Sequence, residues 1–334
     1  MISVVLVNWN GWADTIACLQ SLLNSHTAPA RVIVVDNRST DESVDILRRW
    51  AAQGLELIAN GGDVEQHALR GKTCPRLLSI VEYDEGHQRF NTLEPQAAIE
   101  QQGSLPIHVV SCSRNGGFGY GCNVGMKLGR QLGTDAFWLL NNDCVVTPET
   151  LCMVREYALR QPRTIYGTVL RYYHHPERIQ AFGGGTLSKV TGKVKTLRSA
   201  DSDRRLGFIN GASMIFTAAC LDEVGGFDER IFMYFEESDF CMRAAALGYG
   251  FDVVPTAVFH KHGGSQGSRP SINAWTQVLL NKHYVLRKNL GWGLWVFFFF
   301  GMLIVRCMLP AVRSVERQAA RKVLRSLITG PSTR

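Results

Sequence analysis

Two short runs of β-branched and apolar residues open the chain, Ile2–Val7 and Arg31–Val35. A continuous apolar run bounded by polar residues reads as a strand buried on both faces, as in a parallel sheet. Between the two, Ile16, Leu19, Leu22 and Leu23 recur at helical spacing within Asp14–Leu23, and a second helix is predicted over Ser43–Gln53. Ser39 with Glu42 three residues later has the spacing of a capping box in front of that helix. The β-α-β-α order predicts a doubly wound α/β sheet, whose ligands bind beyond the C-terminal ends of the strands. The pattern lapses over residues 60–105, where Gly, Gln, Glu, His and Pro mix and only Leu77–Tyr83 looks like a strand. We read this stretch as an insertion. Regularity returns with a strand at Ile107–Ser111, a Gly-rich turn, a helix near Asn123–Leu132 and a strand at Ala136–Leu140. Residues 208–262 add further strand and helix, the chain ends in an apolar and basic helical region, and no internal repeat is visible.

Composition narrows the classes without choosing among them. With 334 residues, 46% apolar and 19% charged, the chain can bury a large core and is not expected to be disordered. Its nine cysteines form no CxxC pair and lie mostly in apolar stretches. Reduced, buried thiols in a cytoplasmic protein fit that pattern better than disulfides or a zinc site. The first residues enter the apolar strand without a basic region or a cleavage site, so no signal peptide is expected. The net charge of +7 is concentrated at one end. Residues 281–334 carry ten Lys/Arg against one acid, leaving 26 basic and 28 acidic groups in the first 280. A near-neutral body with a basic tail does not look like a nucleic-acid binder, which spreads positive charge over its folded face.

Three clusters can carry chemistry. The strand Ala136–Leu140 ends abruptly in Asn141-Asn142-Asp143, at the end of a buried strand where a doubly wound fold binds ligands. Hard cations take carboxylate and phosphate oxygens, often with only one or two protein carboxylates; Asn-Asn-Asp is equally good turn chemistry. Next, Glu236, Glu237 and Asp239 stand within four residues, bracketed by Phe235 and Phe240. Carboxylates among aromatics are costly to bury unless paired or used, and at a helix start they gain from its dipole. One can serve as general base for an acceptor hydroxyl, and another can bind the acceptor or hold Arg243. A solvated, acid-rich helix start is the plainer alternative. Third, His260 ends an apolar strand ahead of Lys261, His262 and the glycines 263 and 264, a loop suited to folding over a diphosphate. The stretch Arg114-Asn115-Gly116-Gly117-Phe118-Gly119-Tyr120-Gly121 lacks GxGxxG in register, and no GxxxxGK[ST] loop occurs. Dinucleotide and triphosphate folds lose support.

Taken in order, these elements resemble an inverting family 2 glycosyltransferase. The resemblance is carried by Val5–Asn10, Val34–Asp41 (VVDNRSTD), Arg114–Gly119, Asn141–Asp143, Gly225–Glu229, Glu236–Asp239 and His260. It spans about residues 2–265 without the insertion. Within that family the chain is similar to bacterial rhamnosyltransferases and galactofuranosyltransferases of surface polysaccharide synthesis. The resemblance implies a GT-A fold, a Rossmann-like doubly wound mixed sheet over residues 1–270, followed by a helical extension over 271–334. It implies a nucleoside-diphosphate sugar donor, dTDP- or UDP-linked, and a glycan or lipid-linked acceptor. Asp36 would bind the donor base, with Asn8, Asn37 and Ser39 completing that pocket, while Arg114, Asn115 and Asn142 line the donor side. Asn141–Asp143 stands where the family has its DxD motif, with only the last acid kept, so Asp143 would hold Mg²⁺ or Mn²⁺ together with His260. Glu237 would be the catalytic base, and Glu236, Asp239 and Arg243 would contact the acceptor or support the base.

Other readings fare less well. A processive synthase would carry QxxRW and several spanning helices, which are missing here. A nucleotidyltransferase would need a basic phosphate loop near the N-terminus, and Val7-Asn8-Trp9-Asn10-Gly11 has no basic residue. A catalytically inactive nucleotide-sugar-binding or scaffold protein stays open because asparagines replace the first acid of the motif. The tail raises a separate question. Leu290–Val305 is sixteen residues without a charge, rich in Trp and Phe, followed by Arg306, Arg313, Arg317, Arg321, Lys322 and Arg325. A span needs ~20 apolar residues. An interfacial anchor is expected instead, at the inner face of the cell membrane, with a core helix plus a solvated basic helix as the alternative.

Overall fold

The computed structural model describes residues 1–26, 31–53, 76–92, 105–200, 205–261, 271–308 and 314–329. Among these, five strands run parallel: β1 (Ile2–Asn8), β2 (Arg31–Asp36), β3 (Arg76–Asp84), β5 (Leu105–Ser111) and β6 (Ala136–Leu140). Their order across the sheet is β3-β5-β2-β1-β6, with β4 (Arg89–Thr92) closing one edge as a hairpin on β3. Beyond β6 the sheet turns mixed. It continues through β13 (Ser213–Thr217), antiparallel to β6, then β8 (Thr164–Tyr172), β14 (Gly250–His260) and β7 (Cys144–Val146), and β9 (His175–Phe182) pairs with β8. A small antiparallel sheet joins β10 (Gly184–Leu187), β11 (Val194–Thr196) and β12 (Phe208–Ile209).

Helices cover both faces, which explains why the strands read as unbroken apolar runs. On one face, α1 (Trp12–Leu23), α2 (Ser43–Gln53) and α4 (Thr150–Arg160) bury Ile16, Leu19, Trp50 and Val154 against Val4, Leu6 and Trp138. On the other, α3 (Phe118–Gln131), α5 (Ala218–Val224) and α6 (Glu236–Ala246) bury Tyr120, Met126 and Phe240 against Val5, Ile33 and Phe216. A third core joins α7 (Ile272–Leu290), α8 (Trp295–Met308) and α9 (Ser314–Thr329) around Leu286, Trp295, Phe299 and Val323.

Two local expectations need correction. The helix placed near Asn123–Leu132 begins at Phe118, so Gly119 and Gly121 are helical rather than turn residues. Packing decides this: a Cβ on Gly121 would stand 2.7 Å from Val7 Cγ1, so glycine lets α3 lie close on β1. Nor does Ser39 form a capping box. Its hydroxyl is committed to Asp36, and Asp41 Oδ1 accepts the Ser43 amide at 3.0 Å at the start of α2. The parts of the insertion at 60–75 and 93–104, and the segment holding His262 and the following glycines, lie outside the described residues.

Candidate functional site

The sheet reverses direction of growth at β1, with β2 on one side and β6 on the other, which opens a crevice at their C-terminal ends. Asn8 ends β1, Asp36 ends β2, and Asn141–Asp143 follows β6. All lie in one polar network. Asn8 Nδ2 donates to Asp36 Oδ1 at 2.8 Å and to Ser39 Oγ at 3.1 Å. Asn8 Oδ1 accepts the Thr15 hydroxyl at 2.9 Å, and the Asn142 amide donates to that hydroxyl oxygen at 2.9 Å. Asp36 Oδ2 accepts the Ser39 amide at 2.9 Å. Asn37 donates from Nδ2 to the Gly117 carbonyl at 2.9 Å, joining β2 to the start of α3. Four of the expected donor-side residues, Asn8, Asp36, Ser39 and Asn142, are therefore one constellation.

Asn115 and Arg114 are placed differently. Asn115 Oδ1 accepts the Gly117 amide at 3.0 Å and shapes the turn before α3. Arg114 is held by Glu85 of the β3–β4 hairpin, Nε and one terminal nitrogen reaching its carboxylate at 3.0 and 2.8 Å, and it stacks 4.1 Å from the Tyr120 ring centroid. Glu229 lies 3.6 Å away. A guanidinium so engaged positions the hairpin over α3, a role the sequence did not suggest.

Asp143 and His260 come together across the sheet, since β14 pairs antiparallel with β7 in the register His260↔Cys144. His260 Nε2 is 3.2 Å from Asp143 Oδ1 and 3.3 Å from the Asn141 amide nitrogen, and both members of the pair are buried. Its Nδ1 lies 2.8 Å from Gln180 Oε1. That amide oxygen only accepts, so Nδ1 carries the proton and Nε2 alone faces Asp143: protonated it pairs with the carboxylate, deprotonated it is a metal ligand. Gln180 arrives there through a bulge in β9, where Leu170 pairs with Ala181 and Arg171 with Ile179, leaving Gln180 as the extra residue. Burial pushes the Asp143 carboxyl upward, but the hydrogen bond and charge of His260, a backbone hydrogen bond and the charge of Lys261 together hold it below its ordinary value.

Asp143, Cys144 and His260 offer ligand atoms within 4.8 Å of one another. Cys144 does not suit a hard cation. Burial keeps its thiol far above its usual range, and it donates to the Ala212 carbonyl. The buried pair Asp143 and His260, with an oriented ring, fits a divalent cation that takes its remaining oxygens from a ligand.

Glu236 and Glu237 open α6 directly after two residues in left-handed backbone, Tyr234 (φ 72°) and Phe235 (φ 75°). Non-glycine residues there cost on the order of 1–3 kcal/mol each and persist only when held. Asn281 of α7 supplies that hold, donating to the carbonyls of Met233 at 2.8 Å and Tyr234 at 3.1 Å. Gly117 adjoins the same segment: its φ is +88°, and a Cβ there would collide with the Phe232 carbonyl oxygen. Glu237 is half-buried beside Gly211, whose neighbour Ala212 accepts the Asn141 amide at 3.0 Å. This chain of contacts brings the α6 start to the Asn141–Asp143 turn. Burial raises the Glu237 carboxyl above its ordinary value. Glu236 is pushed well above the usual carboxylate range by burial and then by the Glu237 charge, and its Oε2 is buried without a hydrogen-bond partner among the described residues.

Asp239 and Arg243 serve α6 itself. Asp239 is fully buried and accepts from Arg243 Nε, Lys288 Nζ and Asn289 Nδ2, each at 2.9 Å. Arg243 also donates to the carbonyls of Val224 and Gly226. Asp239 thus has no free oxygen for an acceptor, and it fastens α7 to α6. Neither Lys288 nor Asn289 carried a sequence signal.

Two family patterns match the chain: glycosyl transferase family 2 over residues 3–66 and glycosyltransferase like family 2 over residues 92–283. An N-acetylglucosaminyl-diphospho-decaprenol L-rhamnosyltransferase of Mycobacterium tuberculosis is 24% identical over 258 residues, 69% of this chain and 83% of the relative. Among solved structures, the mannosyltransferase PcManGT of Pyrobaculum calidifontis, in complex with GDP-Man and Mn²⁺, superposes with a TM-score of 0.53 at 13% identity, covering 99% of this chain and 76% of the other. GalNAc-T7 with UDP, GalNAc and Mn²⁺ gives 0.55 at 13% identity, covering 93% of this chain and 58% of the other. These likenesses establish the GT-A fold. The second family pattern spans more than half the sequence and includes the Asn141–Asp143 turn, the α6 acids and His260, so the chain belongs to glycosyltransferase family 2 and is a glycosyltransferase.

Proposed function

We propose that this enzyme transfers a hexose, rhamnose or a related sugar, from a dTDP- or UDP-sugar to a glycan or lipid-linked hydroxyl, with inversion, in the synthesis of a cell-surface polysaccharide. The observation that carries the proposal is the buried Asp143–His260 pair at the crevice between β1, β2 and β6, with the strained start of α6 linked to the same turn through Gly211, Ala212 and Asn141. The M. tuberculosis relative is, by its name, a rhamnosyltransferase acting on a diphospho-decaprenol acceptor, which favours this donor and acceptor class. Asn8, Asp36, Asn37 and Ser39 form the nucleoside end of the donor site, and Asn115 and Asn142 line it toward the diphosphate. Arg114 borders the same loop from its seat on Glu85.

Asp143 and His260 would hold Mg²⁺ or Mn²⁺, which when bound would supply charge neutralisation for the departing diphosphate. Glu237 takes the proton of the acceptor hydroxyl as that oxygen bonds to the anomeric carbon from the face opposite the diphosphate. The anomeric C–O bond to the diphosphate breaks through an oxocarbenium-like transition state, and the configuration inverts. Glu236, buried behind Glu237 and disfavoured as an anion, supports the base, and Asp239 with Arg243 fixes the helix that carries both. With the acceptor on a lipid, the enzyme works at the inner face of the membrane.

The proposal is tested by donor hydrolysis and a thermal-shift series with UDP-, dTDP- and GDP-sugars in the presence of Mn²⁺. Wild-type protein is expected to be stabilised by one nucleotide class, since a ligand that binds only the folded state raises its melting temperature. Asp143→Ala is expected to lose both Mn²⁺-dependent stabilisation and hydrolysis. Metal-dependent turnover surviving in Asp143→Ala would overturn the metal assignment.

A further inference from the structure

A helix on the surface of a globular protein normally turns a polar stripe outward. Helix α8 does not. Its inner face, Trp295, Phe299 and Leu303, is buried in the third core. Its outer face and the turn before it expose Leu294, Phe297, Phe298, Ile304, Val305 and Met308, with Phe297 76% and Met308 75% accessible. The helix is apolar all round except for Arg306, whose guanidinium lies over the Trp275 ring of α7. At 14 residues it is about 21 Å long, well short of the ~30 Å hydrocarbon core. No helix among the described residues is long and apolar enough to cross a membrane.

Cations bracket this apolar stripe at both ends. At the start, Arg287 stacks 4.8 Å from the Trp292 ring, and that indole is 67% exposed beside Leu294. At the far end Arg321 of α9 donates to the Cys307 carbonyl at 3.3 Å, which seats α9 against the last turn of α8. Arg321, Lys322 and Arg325 line a shallow groove with Gln318 there. Glu316 is the one acid between residue 281 and the end of the chain. An apolar stripe with exposed aromatics, framed by guanidinium and ammonium groups, complements an anionic lipid surface: acyl chains meet the stripe, and phosphates meet the cations. A second copy of this chain would bring an equally basic tail against its own, so like charges oppose self-association through this face.

We propose that α8 docks flat on an anionic lipid bilayer through its outer stripe, with Arg287 and the Arg321–Arg325 groove on headgroup phosphates. The inference rests on this face alone and stands without the transfer reading. It also has a consequence for that reading. Helix α7 shares a core with α8 and reaches α6 through Asn281, Lys288 and Asn289, so the docking face and the helix start at Glu237 are tied by a single element.

The test is flotation of the full-length chain, without donor or acceptor, on vesicles of phosphatidylcholine alone or mixed with phosphatidylglycerol. Binding to the mixed vesicles is expected, with loss of roughly tenfold or more at high salt. Phe297→Glu with Phe298→Glu is expected to weaken binding by roughly tenfold or more, because two exposed aromatic side chains are withdrawn from the acyl region. Arg321→Glu with Lys322→Glu and Arg325→Glu is expected to abolish the preference for the anionic vesicles. Since all of these positions lie at the surface, unchanged melting curves would show that the variants fold. Failure of the wild-type chain to float on the anionic vesicles would overturn the proposal, as would equal binding by the phenylalanine variant. A concentration-dependent dimer that Phe298→Glu dissolves, without vesicle binding, would assign the stripe to self-association. Donor-stimulated stabilisation is measured separately, so failure of one proposal leaves the other readable.

Discussion

Glu236 and Glu237 are neighbouring residues of one type held in different surroundings. Glu236 faces α3, close to Gly119, and is buried with one oxygen unpaired, which disfavours its anion. Glu237 keeps partial solvent access beside Gly211 and gains from the amides at the start of α6. In the proposed mechanism the second is therefore the proton acceptor. Glu237→Gln is expected to lower kcat by about 10²–10⁴-fold while nucleotide binding stays near wild type. Transfer assays paired with donor thermal shifts check this, and loss of donor binding would make Glu237 a structural residue. The pH dependence follows in sign. Glu237 must be ionised to take a proton, and burial raises its carboxyl above the ordinary value of about 4.3. Activity should therefore fall as pH drops through that raised value, giving an acidic limb in kcat/KM that lies above the ordinary carboxylate range. A limb at or below that range would count against Glu237 as the base.

At the scale of elements, α6 is fastened at its N-terminal end by partners from elsewhere in the chain. Its start is held by Asn281 on the carbonyls of Met233 and Tyr234, and its first turn by Lys288 and Asn289 on Asp239. Asp239→Ala would leave Lys288 and Arg243 as partly buried cations without their common carboxylate. A loss of about 3 kcal/mol is expected, the lower end for a broken buried pair because both cations keep some solvent contact. Denaturant unfolding measures this, and a loss below about 1 kcal/mol would show that the network is loosely engaged. The sequence placed the three acids at a helix start and allowed one of them to hold Arg243, and that pairing is present. The partners from α7 were invisible, because about fifty residues separate them from Asp239 and only packing brings the two helices together.

For the whole molecule, the helical extension is bound to the catalytic body through α7. Besides Asp239, it reaches Asp228, which accepts from Tyr284 and Lys288 at 2.8 Å each. Arg230 first, and then Lys288 and Tyr284, hold that carboxyl well below its ordinary value. A chain ending at residue 270 would strip both aspartates of these partners and uncover the α7 side of α6. We expect it to melt lower than the full chain and to lose turnover at saturating donor, with thermal unfolding and hydrolysis rates as the readouts. An unchanged melting temperature would show that α7 is an appendage.

What the sequence determined by itself was carried by local pattern. Apolar runs located β1, β2, β5 and β6, and the rule that ligands bind at strand ends singled out Asn141–Asp143, whereas Asn8 and Asp36 stood out only through the family resemblance of their motifs. His260 was legible as a strand end next to a loop. Which atoms meet was decided by the tertiary structure. Gln180 orients His260 because a one-residue bulge in β9 turns it inward, and the face a strand residue occupies depends on its register with a distant partner. Arg114 is taken by Glu85 because a hairpin from the insertion closes over α3. The Gly-rich segment lies in the first turns of α3, and glycine is required at 121 because Val7 leaves no room there for a side chain. Periodicity and capping are written in neighbours along the chain. A partner for a buried polar group is chosen by shape and register across it, which no local window contains.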